Sequence, residues 1–191
     1  MMQQKEIPCV LVFNKSDLVT DEEKEKLREI YSGSGCEILF VSAKQDQGIE
    51  EIRNVLKGKT STVAGPSGVG KSSIINKLQS DVSMETGSIS EKIERGKHTT
   101  RHTEFIPIGE DTFIMDTPGF SSLAVFDMEK EELEQFYPEF DEYRDTCRFN
   151  GCSHTHEPGC SVKEAIENGK ISKGRYENYK LIYEELKSKK K

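Results

Sequence analysis

Two loops in this chain, about fifty residues apart, have the residue types and spacing for nucleotide chemistry. Gly65-Pro66-Ser67-Gly68-Val69-Gly70-Lys71-Ser72 is a complete GxxxxGKS phosphate loop. It needs glycines because backbone N–H groups must turn inward around phosphate oxygens, where side chains would block the approach. Lys71 brings positive charge to the β and γ phosphates, and the Ser72 hydroxyl stands where a Mg²⁺ ion is held at the start of a helix. About fifty residues earlier lies Asn14-Lys15-Ser16-Asp17. The Asp17 carboxylate can accept two hydrogen bonds from guanine N1–H and the exocyclic amine, donors that adenine does not present in that form. Asn14 can brace neighbouring loops, and the stem of Lys15 can lie against the base plane. Alone, the tetrad also fits a polar turn ahead of a helix. Ser42-Ala43-Lys44 favours the nucleotide reading, because it follows the next strand and a backbone amide near Ala43 could donate to guanine O6.

Further along, Phe113 to Asp116 reads as a strand delivering Asp116-Thr117-Pro118-Gly119. Asp116 would hold Mg²⁺ through a water, and the Gly119 amide would meet the γ phosphate. The basic, Gly-containing stretch Arg95 to His102 suits a mobile switch, with Thr100 rather than Thr99 completing the Mg²⁺ shell. Phe120 occupies the place that often carries a water-orienting glutamine, so intrinsic hydrolysis should be slow. His98 is the in-chain substitute that could orient or deprotonate water, although a solvated switch histidine is as compatible with the residue chemistry.

A second constellation lies near the C-terminus, where Cys147, Cys152, His154 and Cys160 offer three thiolates and an imidazole at short spacings. That donor set closes a tetrahedral structural zinc site, with turns at Asn150-Gly151 and Pro158-Gly159 and His156 left outside. Cys9 and Cys36 read as buried thiols in apolar runs.

These loops need strands and helices to hold them. Pro8 to Phe13 and Glu37 to Val41 are apolar runs of the kind found in buried parallel strands, each delivering a base-reading loop. Thr20-Asp21-Glu22-Glu23 is a capping box for a crossover helix through Leu27, Ile30 and Tyr31, with Gly33 as its stop. Ile49, Ile52, Val55 and Leu56 mark a second helix, and Thr60 to Ala64 a third strand feeding the phosphate loop. The predicted fold is α/β: a circularly permuted P-loop GTPase at 1–126, with a mostly parallel sheet covered by helices on both faces, plus a small, mainly helical zinc domain at 127–191. Tyr176, Tyr179, Tyr183 and Leu186 suggest a final helix. Its tyrosines, with Arg144, Arg148, Lys163, Lys173 and Arg175, either touch RNA or pack and solvate the surface.

The formal charge of −7 argues against a surface that grips nucleic acid everywhere. It is unevenly spread: 127–150 holds nine acids and three bases, whereas 151–191 holds nine bases and six acids. No apolar run approaches the roughly 18 residues of a membrane helix, and the first residues carry no apolar signal segment, so a cytoplasmic chain without membrane contact is expected.

In their order, Asn14-Lys15-Ser16-Asp17, Val41-Ser42-Ala43-Lys44, Gly65 to Ser73, Gly96-Lys97-His98-Thr99-Thr100-Arg101, Asp116 to Phe120 and the Cys147/Cys152/His154/Cys160 knuckle resemble the ribosome small subunit-dependent GTPase A family. The resemblance covers nearly the whole chain. It implies a GTP- and GDP-binding, Mg²⁺-dependent hydrolase of late 30S maturation, monomeric, stimulated by the subunit and touching its 16S rRNA, with His98 and Lys71 in hydrolysis. The implied nucleotide set is Asn14, Lys15, Asp17, Ser42, Ala43, Lys44, Gly65, Pro66, Ser67, Gly68, Val69, Gly70, Lys71, Ser72, Ser73, Thr100, Asp116 and Gly119, with Ser72 and Thr100 on Mg²⁺. Family members begin with an RNA-binding OB-fold, whereas here the first GTPase strand starts at Pro8, so the expectation is a chain without that domain. A non-catalytic zinc-dependent rRNA scaffold, another permuted ribosome-assembly GTPase and an ATP-using kinase are the alternatives. The kinase would have no use for Asp17.

Overall fold

The structure, a computed structural model, describes residues 7–85, 104–116 and 128–189. The elements are β1 (Val10–Phe13), α1 (Asp21–Tyr31), β2 (Glu37–Phe40), α2 (Ile49–Leu56), β3 (Thr60–Thr62), α3 (Lys71–Glu85), β4 (Glu104–Gly109), β5 (Thr112–Asp116), α4 (Ser161–Glu167) and α5 (Lys173–Lys189), with short 3₁₀ segments between them. β1 pairs with β2, and β3, β5 and β4 form a second sheet in that order. β3 runs parallel to β5, whereas β4 and β5 are an antiparallel hairpin. The described residues pack as two units: 12–19 with 39–85 and 104–116 in one, and 7–11, 20–38 and 128–189 in the other.

The first unit carries the phosphate loop. Its core joins Val41, Ala43, Ile49, Ile52, Ile75, Leu78, Ile106, Ile108 and Ile114, so the inner face of β4 and β5 is covered by α2 and α3. Arg53 is threaded through this packing: its guanidinium donates to the Ile108 carbonyl at 2.7 Å and to the Leu78 carbonyl at 3.2 Å. One α2 side chain thus satisfies backbone acceptors of both neighbours that would otherwise lose water.

The second unit holds α1, α4, α5 and the 3₁₀ segments Lys130–Phe136 and Pro138–Phe140. The capping box is present: Thr20 Oγ1 accepts the Glu23 N–H at 3.2 Å and Glu23 returns an acceptor to the Thr20 N–H at 2.8 Å. After α1 the left-handed turn falls at Gly35, with φ 71°, rather than at Gly33. Packing dictates Gly33 instead, since a Cβ there would stand 2.7 Å from Glu139 Cβ. Tyr176, Tyr179 and Tyr183 are buried with Phe140, Tyr137 and Leu186, and Arg175 forms a two-point ion pair with Glu139, its second contact at 3.0 Å, while lying 5.0 Å over the Tyr137 ring. Of the two sequence readings for these tyrosines and Arg175, packing is the one that holds.

Candidate functional site

Three loops converge on one cleft of about 780 Å³, lined by Asn14, Lys15, Asp17, Leu18, Ser42, Ala43, Lys44, Gly70, Ser73, Asn76 and Lys77. β1 delivers the tetrad and β2 the second base loop. The two strand ends are locked together by the Val41 N–H on the Phe13 carbonyl and the Ser16 N–H on the Val41 carbonyl, both at 2.9 Å, and by stacking of Phe13 on Phe40. Lys15 takes a left-handed conformation, φ 65°, that turns the tetrad back toward the phosphate loop.

Asn14 ties the three loops together. Its Nδ2 donates to the Val69 carbonyl at 2.9 Å in the phosphate loop, and its Oδ1 accepts the Ala43 N–H at 3.1 Å in the second base loop. Lys15 Nζ donates to the Gly68 carbonyl at 2.9 Å. The closeness of this seam explains Gly70, whose φ is 96° and whose Cβ, were there one, would lie 2.2 Å from Asn14 Nδ2. The Ala43 amide, expected to face a base oxygen, is here engaged by Asn14.

Asp17 is oriented from behind. The Ser42 hydroxyl, itself fully buried, donates to Asp17 Oδ1 at 2.6 Å while its oxygen accepts the Gln45 N–H at 3.2 Å. That bond, first among several causes, holds the Asp17 carboxyl below the usual aspartate range, with a smaller contribution from the Lys44 charge. In the phosphate loop, Lys71 Nζ donates to the carbonyls of Gly65 at 2.6 Å and Pro66 at 2.8 Å. Its ammonium is therefore folded onto the rim of its own loop. Ser72 is exposed at the start of α3. Asp116 closes β5, whose parallel pairing with β3 brings it to the strand end that feeds the phosphate loop. His98, Thr99, Thr100, Gly119 and Phe120 lie outside the described residues.

Leu18, Asn76 and Lys77 were not expected in the cleft. Asn76 and Lys77 sit three and four residues after Ser73 on α3, so helical spacing from the phosphate loop would have found them. Lys77 also pairs with Asp46 at 3.1 Å, joining α3 to the turn after the second base loop.

The other unit brings Cys147, Cys152, His154 and Cys160 together, with one donor atom from each within 4.8 Å of all the others. Cys147 Sγ stands 3.8 Å from Cys160 Sγ, and His154 Nδ1 stands 3.6 Å and 3.4 Å from those two sulfurs. Zinc bonds of about 2.3 Å to sulfur and 2.0–2.1 Å to nitrogen, arranged tetrahedrally, imply about 3.8 Å between sulfurs and about 3.6 Å from nitrogen to sulfur. The donor set fits zinc. Burial pushes the Cys152 thiol up to about 12 and raises that of Cys160, so a metal taking these sulfurs as thiolates must displace protons. The loop is held by its surroundings. Tyr176 and Tyr179 hydroxyls donate to the carbonyls of His154 and Ser153 at 2.7 and 2.9 Å, and Glu157 accepts from Ser153 N–H, Ser153 Oγ and Thr155 N–H. Although burial opposes its ionisation, the Ser153 bonds bring the Glu157 carboxyl down to about 2. His156 is exposed and lies outside the cluster. Glu134, which accepts a bond from His154, was missed, because nothing twenty residues upstream marks it in the sequence.

A phosphate loop and two guanine-type loops on one cleft, carried by a permuted strand order, define the class: this is a circularly permuted P-loop GTPase fold with an added cysteine–histidine cluster. A sequence model for the family described as RsgA GTPase matches residues 1–126, and the chain belongs to that family. It is 61% identical, over all of its 191 residues, to the small ribosomal subunit biogenesis GTPase RsgA of Agathobacter rectalis, and 45% identical over 186 residues to the protein of the same description from Clostridium perfringens. It spans 63% and 64% of the length of these relatives. Its fold is similar to the crystal structure of YjeQ from Thermotoga maritima, with a TM-score of 0.76 and 40% identity over 97% of this chain and 62% of that one. Similarity extends to YloQ, described as a circularly permuted GTPase, with a TM-score of 0.71 and 32% identity over 94% of this chain and 57% of that one.

Proposed function

We propose that this chain binds and hydrolyses GTP in the cytoplasm as a monomeric factor of late 30S maturation, touching 16S rRNA and stimulated by the subunit. The observation that carries the guanine reading is the Asp17 carboxylate, held ionised by Ser42 at the mouth of the cleft that the phosphate loop shares. Asp17 would take guanine N1–H and the exocyclic amine, with the stems of Lys15 and Lys44 beside the base. Guanine O6 would join Asn14 Oδ1 as a second acceptor of the Ala43 amide. Lys71 would leave the Gly65 and Pro66 carbonyls for the β and γ phosphates, joined by the amides of Ser67 to Ser73. When bound, Mg²⁺ would be held by Ser72 and Thr100, with Asp116 acting through water, and would neutralise charge on the phosphates. His98 would orient the attacking water where Phe120 cannot.

The working division is a GTPase domain at 1–126, matching the family model, and a zinc domain at 127–191. The ribosomal assignment is supported by the description shared by the Agathobacter and Clostridium relatives. The test is phosphate release from GTP with and without 30S subunits, for the native chain and for Lys71→Ala and His98→Ala. Without stimulation, turnover of about 10⁻⁴ s⁻¹ is expected. Phosphate release that neither substitution lowers would refute the assignment. GTP binding that excess ATP displaces would favour a kinase-like site instead.

A further inference from the structure

The cluster of cysteines and His154 has a fifth participant. His154 is 1% exposed and its backbone sits at φ 56°, so both the ring and the turn that carries it are fixed by their surroundings. Its Nε2 lies 2.6 Å from Glu134 Oε2, while its Nδ1 faces the sulfurs of Cys147 and Cys160. A carboxylate facing Nε2 is placed to accept its N–H, which leaves the Nδ1 lone pair for a metal among the sulfurs. At 2.6 Å the gap between Nε2 and Glu134 is also too short for a metal ion, which needs about 2.0 Å on each side. Glu134 therefore stands on the far face of the ring from the donor cluster and cannot itself be a ligand to the same ion.

We infer that Glu134 is a positioning residue for the zinc site, selecting the His154 tautomer that coordinates through Nδ1 and holding the ring in the plane the sulfurs require. The arrangement suits this task for three reasons. Glu134 belongs to the 3₁₀ segment Lys130–Phe136, anchored by the buried Leu133 and by a capping box between Glu129 and Glu132, so the carboxylate is presented from a fixed backbone. Phe140 and Tyr179 pack on the ring of His154 and restrict its tilt, but neither offers it a polar partner. A charged acceptor on the outer nitrogen also raises the basicity of the inner one, strengthening its bond to a metal. The acidic stretch 127–150, with nine acids against three bases, thus supplies one carboxylate that supports His154.

The inference rests on the zinc reading, and the experiment separates the two. Zinc affinity of the full chain is measured by competition with a chromophoric chelator, and the metal-bound nitrogen of His154 is identified from long-range ¹H–¹⁵N couplings of the imidazole. The native chain should bind one zinc through Nδ1 with Nε2 protonated. Glu134→Ala should weaken binding by about 10- to 100-fold and alter the imidazole ¹⁵N shifts. Glu134→Gln, which keeps an acceptor oxygen without the charge, should lose less. If Glu134→Ala does not fold, Glu134→Gln decides: a several-fold loss supports the role, and native affinity overturns it. A native chain that binds no zinc overturns the zinc reading itself. Zinc bound natively, with affinity and ¹⁵N shifts unchanged in Glu134→Ala, overturns only the role of Glu134.

Discussion

The seam between Asn14 and Gly70 gives a prediction whose size can be worked out in advance. In Gly70→Ala the new Cβ would meet Asn14 Nδ2 at 2.2 Å, and the alanine would have to hold φ 96°. The backbone conformation costs about 1–2 kcal/mol for a residue with a Cβ. Expelling Asn14 breaks its bonds to the Val69 carbonyl and the Ala43 N–H, each contributing about 0.5–1.5 kcal/mol. The sum is about 2–5 kcal/mol, to be seen as weaker guanine nucleotide binding wherever the loops must close around the ligand, at tenfold per ~1.4 kcal/mol. Asn14→Ala alone forfeits the two bonds, about 1–3 kcal/mol. In the double variant the clash has no partner, so only the backbone strain is added, and the total returns to that of Gly70→Ala alone. Titration of a fluorescent GDP derivative against the native chain, both single variants and the double variant completes the cycle. A coupling of about 1–3 kcal/mol is expected. Strictly additive losses would show that Asn14 does not lean on Gly70 in solution and would refute the account of this seam.

Asp17→Asn should weaken GTP by about 10- to 1,000-fold, since charge-assisted hydrogen bonds contribute about 1.5–3 kcal/mol each, and should be rescued by a xanthine nucleotide, read by competition binding. Because Ser42 holds the Asp17 carboxyl below its ordinary range, the charge is kept as pH falls through the usual aspartate pKa and lost only below it, so guanine affinity should persist further into acid in the native chain than in Ser42→Ala. Zinc uptake should release protons, and affinity should fall as pH is lowered because the raised thiols of Cys152 and Cys160 reprotonate; calorimetry in buffers of different ionisation enthalpy counts the protons. Arg175→Ala strands the buried Glu139 carboxylate and should destabilise the unit by about 3–5 kcal/mol in denaturant unfolding.

Much of the cleft was legible in the sequence because each loop is written contiguously at the end of a strand-like run, so spacing alone predicts that 14–17, 42–44 and 65–72 meet. The reach of Asn14 across two loops follows from the chemistry of its amide. What sequence could not show were partners brought together by folding: Ser42 behind Asp17, Arg53 between Ile108 and Leu78, and Glu134 behind His154. β4 was missed for a different reason. Phe105-Ile106-Pro107-Ile108 is an apolar run without strand-like alternation, and Pro107 argues against a strand until β4 is seen, among the described residues, at the edge of its sheet and paired with β5, its register shifting between Pro107 and Gly109.

Gly33 tests how sequence order and packing divide this chain. It falls inside 1–126, the stretch that the family model matches, yet its segment 32–34 packs on 138–140, in the unit that holds the cysteine–histidine cluster. In Gly33→Ala the new Cβ would stand 2.7 Å from Glu139 Cβ, an atom that cannot swing away as the end of a flexible chain could. Relief must come from the backbone of 32–34 or 138–140, and overpacking of this kind costs about 1–3 kcal/mol. Displacing Glu139 would also strain its two-point pair with Arg175 on α5, so loss of protection should extend along that helix. Hydrogen exchange by mass spectrometry reads this directly: faster exchange is expected in 21–34, 138–140 and 173–189, with the amides of α2 and α3 unaffected. Exchange rising only in 21–34 would mean that the substitution is absorbed locally and that the packing of 32–34 on 138–140 contributes nothing to the unit's stability.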